Sequence, residues 1–359
     1  MRSNGSYRHA FLLAGALLAV SGCVMHTAGC WPQVKAERVV ELDRPLETGA
    51  TLAVSTASGS IEVEGREVDS VHVVATICAR ASTAEEAQEL AEQVDVRFEQ
   101  SGDKVEIKAD RPRQRARQSI SISYHVVTPH ETHIQCNSAS GSLRVGDLIG
   151  NIDAHAASGS VNATNIQGSV RLRSASGSVR CESLRDGNAH LSSASGPVEL
   201  SNASGIGTCD MSAASGSVVA RQIEAESIKM RSASGPARLT DAQAQTMNLH
   251  SGSGGVSGRS IHCANLKAKS VSGSVSVTFS ESTPADLVAE MGSGSGSVSV
   301  TVPPSFAGQV DLSVGSGSIH TDLPLTIQGK ISKKRISGTL GQGTGHLAAR
   351  TGSGSIRVK

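Results

Sequence analysis

The chain has 359 residues, a net charge of +1 and only 2% aromatic residues. Near-neutrality argues against a dedicated nucleic-acid binder, which carries a strong basic excess. The scarcity of Phe, Tyr and Trp argues against a broad globular core, so any core must be narrow and filled by Val, Ile, Leu and Ala.

Residues 1–22 read as a leader. Arg2 and Arg8 give a positive start, and Phe11 to Val20 is an apolar stretch too short to span a bilayer comfortably. Val20-Ser21-Gly22-Cys23 resembles the lipobox of bacterial lipoproteins. That resemblance implies cleavage before Cys23 and lipidation of Cys23 by palmitate and other acyl chains. Each buried CH₂ contributes about 0.8 kcal/mol, so two or more chains give stable membrane anchoring. By the lipoprotein sorting rule, Val24 in place of Asp favours the outer membrane of a two-membrane cell. Residues 23–37 then form a tether.

Residues 38–135 are expected to form a mixed β module. Strands are predicted at 39–42, 51–54, 71–77 and 120–127 from their β-branched content. Thr83-Ala84-Glu85-Glu86 fits a capping box and opens a helix to about Gln93. Val94 to Glu99 and Lys104 to Lys108 suggest a hairpin across Ser101-Gly102-Asp103. Such a module would cap the exposed first coil of the repeat region that begins after it.

From residue 136 to 359 one motif repeats, Ser-x-Ser-Gly-Ser-Val. It appears first as SASGSL at 138–143, and an isolated copy, TASGSI, stands earlier at 56–61. The motif glycines from Gly141 to Gly317 are spaced 18, 18, 19, 20, 19, 19, 19, 23 and 21 residues apart, the length of one β-solenoid coil. Gly150, Gly168, Gly187 and Gly207 each precede a motif glycine by nine residues. Side-chain parity also switches: Ile152, Ala154 and Ala156 share one phase, Val161 and Ala163 the other. The fold class expected is all-β: a parallel β-solenoid, as a right-handed β-helix, with two short strands per coil. Serine ladders would run along its outside, and about ten to twelve coils at ~4.8 Å spacing would make a rod on the order of 50 Å long.

The residues resemble a known family. The strand–motif–strand run around Ser58-Gly59-Ser60-Ile61, the hairpin at 94–109, the SASGSV array and the ending ISGTLGQGTGHLAARTGSGSIRV (336–358) are similar to the DUF4097 "putative adhesin" family of bacterial envelope proteins. That resemblance implies a β-solenoid and supplies no catalytic residues to transfer.

A search for chemistry finds no nucleophile elbow, Walker A loop, H-E-x-x-H or calcium-binding nonapeptide. No catalytic, cofactor-binding or metal residues are assigned, and no cofactor is expected. Cys30, Cys78, Cys136, Cys181, Cys209 and Cys263 show no zinc-like spacing, and those of the array read as small buried hydrophobes. His155 and His250 share a repeat position five coils apart, too far to share a metal. Asp147, Asp153, Glu182, Asp186, Glu199, Asp210, Glu224 and Glu226 read as not recurring at one position. Two basic clusters, Arg111 to Arg117 and Lys333 to Arg335, read as solvated loops or as attractors of anionic envelope polymers or lipid headgroups.

The function expected is a non-enzymatic envelope lipoprotein presenting the solenoid for adhesion or structural binding. Its partners would be the membrane, through the lipid, and envelope polysaccharide or another envelope protein, with no nucleic acid. An envelope-stress sensor or regulatory partner is the second reading. The third, a carbohydrate-active β-helix enzyme, requires Asp, Glu and Arg converging on one face.

Overall fold

A computed structural model describes residues 17–19, 33–327 and 332–359. Cys23, expected as the lipidation site, the Val20-Ser21-Gly22 before it and Cys30 lie outside the described residues. Of residues 1–22, only Leu17–Ala19 is described, as a strand antiparallel to Val34–Pro45.

The array is a parallel β-solenoid. On one wall, strands stack in the spatial order 104–110, 51–58, 133–140, 152–156, 170–174, 189–193, 209–213, 228–232, 247–251, 266–270, 288–293, 345–353, 308–316. The strands that follow the Ser-Gly corner stack likewise on a second wall, from 119–129 through 61–66 and 143–149 to 356–358 and 319–321. Order in space departs from order in the chain at both ends. Residues 51–66 are flanked by strands from 104–129 on one side and 133–149 on the other. Residues 345–358, although later in the chain than both, lie between 288–301 and 308–321.

Each coil turns three times rather than twice. In residues 161–179 the alternation of buried and exposed side chains breaks at Thr164–Asn165, around Gly168 and across Ala175–Ser178. The last two breaks are the half-period glycine and the Ser-Gly motif. The first is a column of non-glycine residues in the left-handed region: Asp147, Asn165, Ser183, Asn202, Gln222, Asp241 and Ser260, with φ between +52° and +58°. Asn and Asp tolerate this conformation best among side-chain-bearing residues. The bend makes a third wall, whose inward residues are Leu148, Ile166, Leu184, Ala203, Ile223, Ala242 and Ile261.

The core is the set of columns these walls enclose. Val161, Val179, Val198, Val218, Ala237, Val256, Val275 and Val298 stack rung on rung, all at most 1% exposed. β-Branched side chains suit a stacked pleated surface, and burying each valine contributes about 1.5–3 kcal/mol.

The first serine of the motif points inward, contrary to the expectation that the serines line the outside. Ser174, Ser193, Ser232, Ser251, Ser270 and Ser293 are all buried. The Ser232 hydroxyl donates to the Gly216 carbonyl of the preceding coil at 2.9 Å and accepts from the Gly235 N–H of its own motif at 2.9 Å. Ser174, Ser193, Ser270 and Ser293 make the same pair of bonds. The corner has no backbone partner for either group, so one hydroxyl satisfies both. The third and fifth serines do face outward, as Ser318 and Ser355 do at 3.1 Å from one another. Ser232→Ala should therefore destabilise by roughly 1–3 kcal/mol, since two corner groups lose their partner. Ser234→Ala, at an exposed third serine, should change stability by less than ~0.5 kcal/mol. Urea unfolding followed by circular dichroism measures both; equal effects would refute the inward staple.

Before the array, Val34–Pro45, Ser70–Ala81 and Ser119–Pro129 form an antiparallel sheet continuous with the second wall through Ser119–Pro129 and Ile61–Arg66. The helix is Ala84–Glu92, capped by the Thr83 hydroxyl, which accepts from Glu86 N–H at 3.2 Å. Its other end is closed by Arg38, whose guanidinium donates to the carbonyls of Ala91, Glu92 and Val94 at 2.9–3.2 Å. A cation there satisfies orphan carbonyls and complements the helix dipole. The hairpin forms as Asp95–Ser101 and Lys104–Asp110. At the far end, Arg335–Leu340 pairs antiparallel with Gly308–Ser316.

Candidate binding surface

Outward side chains form ladders because every coil presents the same positions in register. The third wall carries a groove of about 630 Å³. One side follows the left-handed column, Ser183, Asn202, Gln222, Asp241 and Ser260. The other carries Arg185, Ser204, Glu224, Gln243 and His262. Glu224, Gln243 and His262 stand in register on consecutive coils. They also border a second groove of about 440 Å³. Together these surfaces offer amides, hydroxyls and a few charges along several coils. His262 lies 3.1 Å from the Ser282 hydroxyl. Earlier on the same wall, Asn165 donates to the Asp147 carboxylate at 2.7 Å.

The first wall has a neutral column that bonds along its length. Ser169 N–H donates to the Asn151 side-chain oxygen at 3.3 Å, Asn188 N–H to the Ser169 hydroxyl at 3.1 Å, and Thr208 N–H to Asn188 at 2.9 Å. These bonds hold the outward amides and hydroxyls in fixed orientation.

His155 and His250, singled out in the sequence, occupy one column, separated by Arg173, Ser192, Ser212 and Arg231. Both are exposed. At ~4.8 Å per coil they are about 24 Å apart. Cys136, Cys181, Cys209 and Cys263 are buried, and burial pushes each thiol up to about 12. They pack as apolar side chains and are poor nucleophiles near neutral pH. Among the described residues no group of three His, Cys, Asp or Glu could hold a metal ion.

The acidic residues differ from expectation in one respect. Asp153 and Asp210 do share a position, three coils apart with Arg171 and His190 between them. Both stand six residues before a motif glycine, Gly159 and Gly216, so the recurrence is present in the sequence itself. At ~14 Å they do not converge on one another.

Of the basic clusters, Arg111 is structural in part. Its guanidinium donates to the Thr56 hydroxyl at 3.1 Å. Thr56 in turn donates to the Ile122 carbonyl at 2.9 Å, the same inward role that serine plays in the array. The grooved third wall was not anticipated from sequence. Its local sign is a pair of adjacent polar residues before an apolar one, as in Thr164-Asn165-Ile166 and Ser201-Asn202-Ala203.

The family model described as Toastrack DUF4097 matches residues 35–208 and again 206–359. The chain belongs to the Toastrack DUF4097 family. Two successive matches span nearly all of the solenoid, so this Toastrack chain carries the family pattern twice in one continuous stack. No match is found among curated proteins. Among solved structures, the chain is similar to a "putative cell adhesion protein" of Clostridium sporogenes, with 11% identity and a TM-score of 0.22, covering 89% of this chain and 98% of the other. It is also similar to a "putative adhesin" of Bacteroides fragilis, with 10% identity and a TM-score of 0.27, covering 89% and 97%. A "putative adhesin" of Parabacteroides distasonis gives 12% identity and a TM-score of 0.27, covering 89% and 97%.

Proposed function

We propose that this Toastrack chain is a non-enzymatic envelope lipoprotein that holds an extended ligand along its solenoid wall, in adhesion or in structural binding. The observation that carries the reading is the groove on the third wall, which crosses successive coils and presents one polar side chain per coil along each side. Repeated surfaces of this kind suit ligands that are themselves long and repetitive. The lipobox at Cys23 supports attachment to a membrane, with the outer membrane favoured by Val24.

Two measurements test the reading. In cells expressing the full chain, Ser204→Trp with Gln243→Trp should fill the groove and reduce retention on immobilised envelope fractions by at least roughly tenfold, the loss of about 1.4 kcal/mol of binding. Retention equal to wild type would exclude the groove. Radiolabelled palmitate should enter wild type and not Cys23→Ser, which should leave the membrane fraction. Label and membrane association both persisting in Cys23→Ser would overturn the anchor.

A further inference from the structure

Resting on that reading, we propose that the first wall is a binding face for a linear acidic polysaccharide. It carries a ladder of cations with no acid in the outward column next to the motif corner. That column runs Asn137, His155, Arg173, Ser192, Ser212, Arg231, His250, Lys269, Gly292, Arg350. The neighbouring column adds Arg171, Lys229 and Lys267 on the same coils as Arg173, Arg231 and Lys269. The result is three cation pairs, each on a single strand with one buried residue between, at intervals of three coils and then two. At ~4.8 Å per coil the pairs stand about 14 Å and 10 Å apart, and the line from Arg173 to Arg350 is about 34 Å long.

The charge is available. Arg171, Arg173, Lys229, Arg231 and Arg350 make no ion pair or side-chain hydrogen bond among the described residues. Only the Lys267–Lys269 pair is shared, with Glu290 at 3.4 and 2.6 Å. For a chain of net charge +1, this concentrates positive potential on one wall. Beside the column runs the motif corner, where Ala175, Ala194, Ala214 and Ala233 are exposed and small. Beside Arg173 and Arg231 the corner is therefore open, while beside Lys269 the same position holds the exposed Val271.

The ligand class is set by what surrounds the charges. Two shallow hollows of about 540 and 320 Å³ lie on this wall, one at Arg171 and the other between Lys229 and Lys267. Asn151, Ser169 and Asn188 line the first, and Thr246, Asn248 and Asn265 the second. Oriented amides and hydroxyls beside cations match a polymer of hydroxyl groups with acidic groups at intervals. Single-stranded nucleic acid requires aromatic stacking platforms, and this wall presents none among its described residues. A membrane surface favours a dense basic cluster. Here Asp153, Asp210 and Glu290 interrupt the neighbouring column, leaving a line rather than a patch.

The test uses the full lipidated chain in detergent and four probes: polyuronate, neutral dextran, anionic phospholipid vesicles and a single-stranded DNA oligonucleotide. Polyuronate should bind, with an affinity that falls as salt rises, and dextran should not. Arg171→Gln with Arg173→Gln, Lys229→Gln and Arg231→Gln should weaken polyuronate binding at least tenfold and flatten its salt dependence. All four side chains are solvent-facing or half-exposed, and an unchanged thermal transition would verify folding. A single Arg231→Gln should give a smaller loss in the same direction. The groove variant Ser204→Trp with Gln243→Trp should bind polyuronate as wild type does, which separates failure of this face from failure of the third-wall reading. Absence of polyuronate binding, binding insensitive to the quadruple substitution, or stronger binding to vesicles or DNA would each overturn the proposal.

Discussion

Gly177→Ala should destabilise the solenoid by about 3 kcal/mol or more, at the upper end of what overpacking costs. A Cβ built on Gly177 falls under 3.0 Å from the carbonyl of Gly159 and from Ser160 N, all backbone of the preceding coil. Gly159, Gly196, Gly216, Gly235, Gly254, Gly273 and Gly296 meet the glycine beneath them in the same way. Backbone cannot give way like the end of a flexible side chain, so the coils must separate locally, and separation breaks the flanking ladder bonds and the Ser174 staple. The glycine here is required by close approach, not by a left-handed conformation. Gly102 provides the contrast: its φ is +61° and a Cβ there meets nothing within 4 Å. Gly102→Ala should cost only the left-handed penalty, about 1–2 kcal/mol. Thermal unfolding by circular dichroism, wild type against the two variants, decides between these causes. A Gly177→Ala effect no larger than that of Gly102→Ala would mean the glycine column is not tightly stacked.

The column explains why the repeat was conspicuous in the sequence while other parts of the coil were not. Only glycine fits a position where backbone meets backbone, so each coil repeats it. Proline is admitted one residue later, at Pro197 and Pro236, because that position contributes its carbonyl to the ladder, accepting from Val179 and Val218, and needs no backbone N–H for it. The third corner has no such constraint. Asp147, Asn165, Ser183, Asn202, Gln222, Asp241 and Ser260 all perform the left-handed turn, and seven positions with four residue types leave no motif. The inward serine was illegible for another reason: the first and third serines share a parity, and the corner between them decides which side each faces. The helix and the hairpin at 95–110 were readable because a capping residue and a tight turn are local signals. The cation ladder is written in the sequence at the position of His155 and His250, since Arg173, Arg231, Lys269 and Arg350 also stand four residues before a motif glycine; the register adds that these rungs stack on one wall with Arg171, Lys229 and Lys267 beside them.

Interleaved ends were the feature least accessible to sequence, since TASGSI at 56–61 and TGSGSI at 351–356 would fit any rung equally well. Their placement has the largest expected consequence. Ending the chain at residue 343 should release residues 308–340 from the solenoid. The removed residues form the rung between 288–301 and 308–321, with Leu347, Ala349, Ile356 and Val358 all fully buried. Loss of the leucine, isoleucine and valine alone forfeits roughly 2 kcal/mol each, and both flanking rungs lose a ladder of backbone bonds. Residues 308–316 would then retain pairing only with Arg335–Leu340, and an isolated hairpin is marginal at best in water. The rungs from 133 to 279 should stay folded, because in a solenoid each contacts only its neighbours. Limited proteolysis with mass spectrometry should show cleavage confined to residues after 302, alongside self-association through the bared edge of 288–301. A synthetic peptide of residues 344–359 added in trans should restore protection. Protection of 308–340 in the truncated chain without the peptide would refute the interleaved order. Because this rung follows residues 308–340 in the chain, the far end can close only after residues 345–358 have been made, whereas the central rungs can pair in sequence as they emerge.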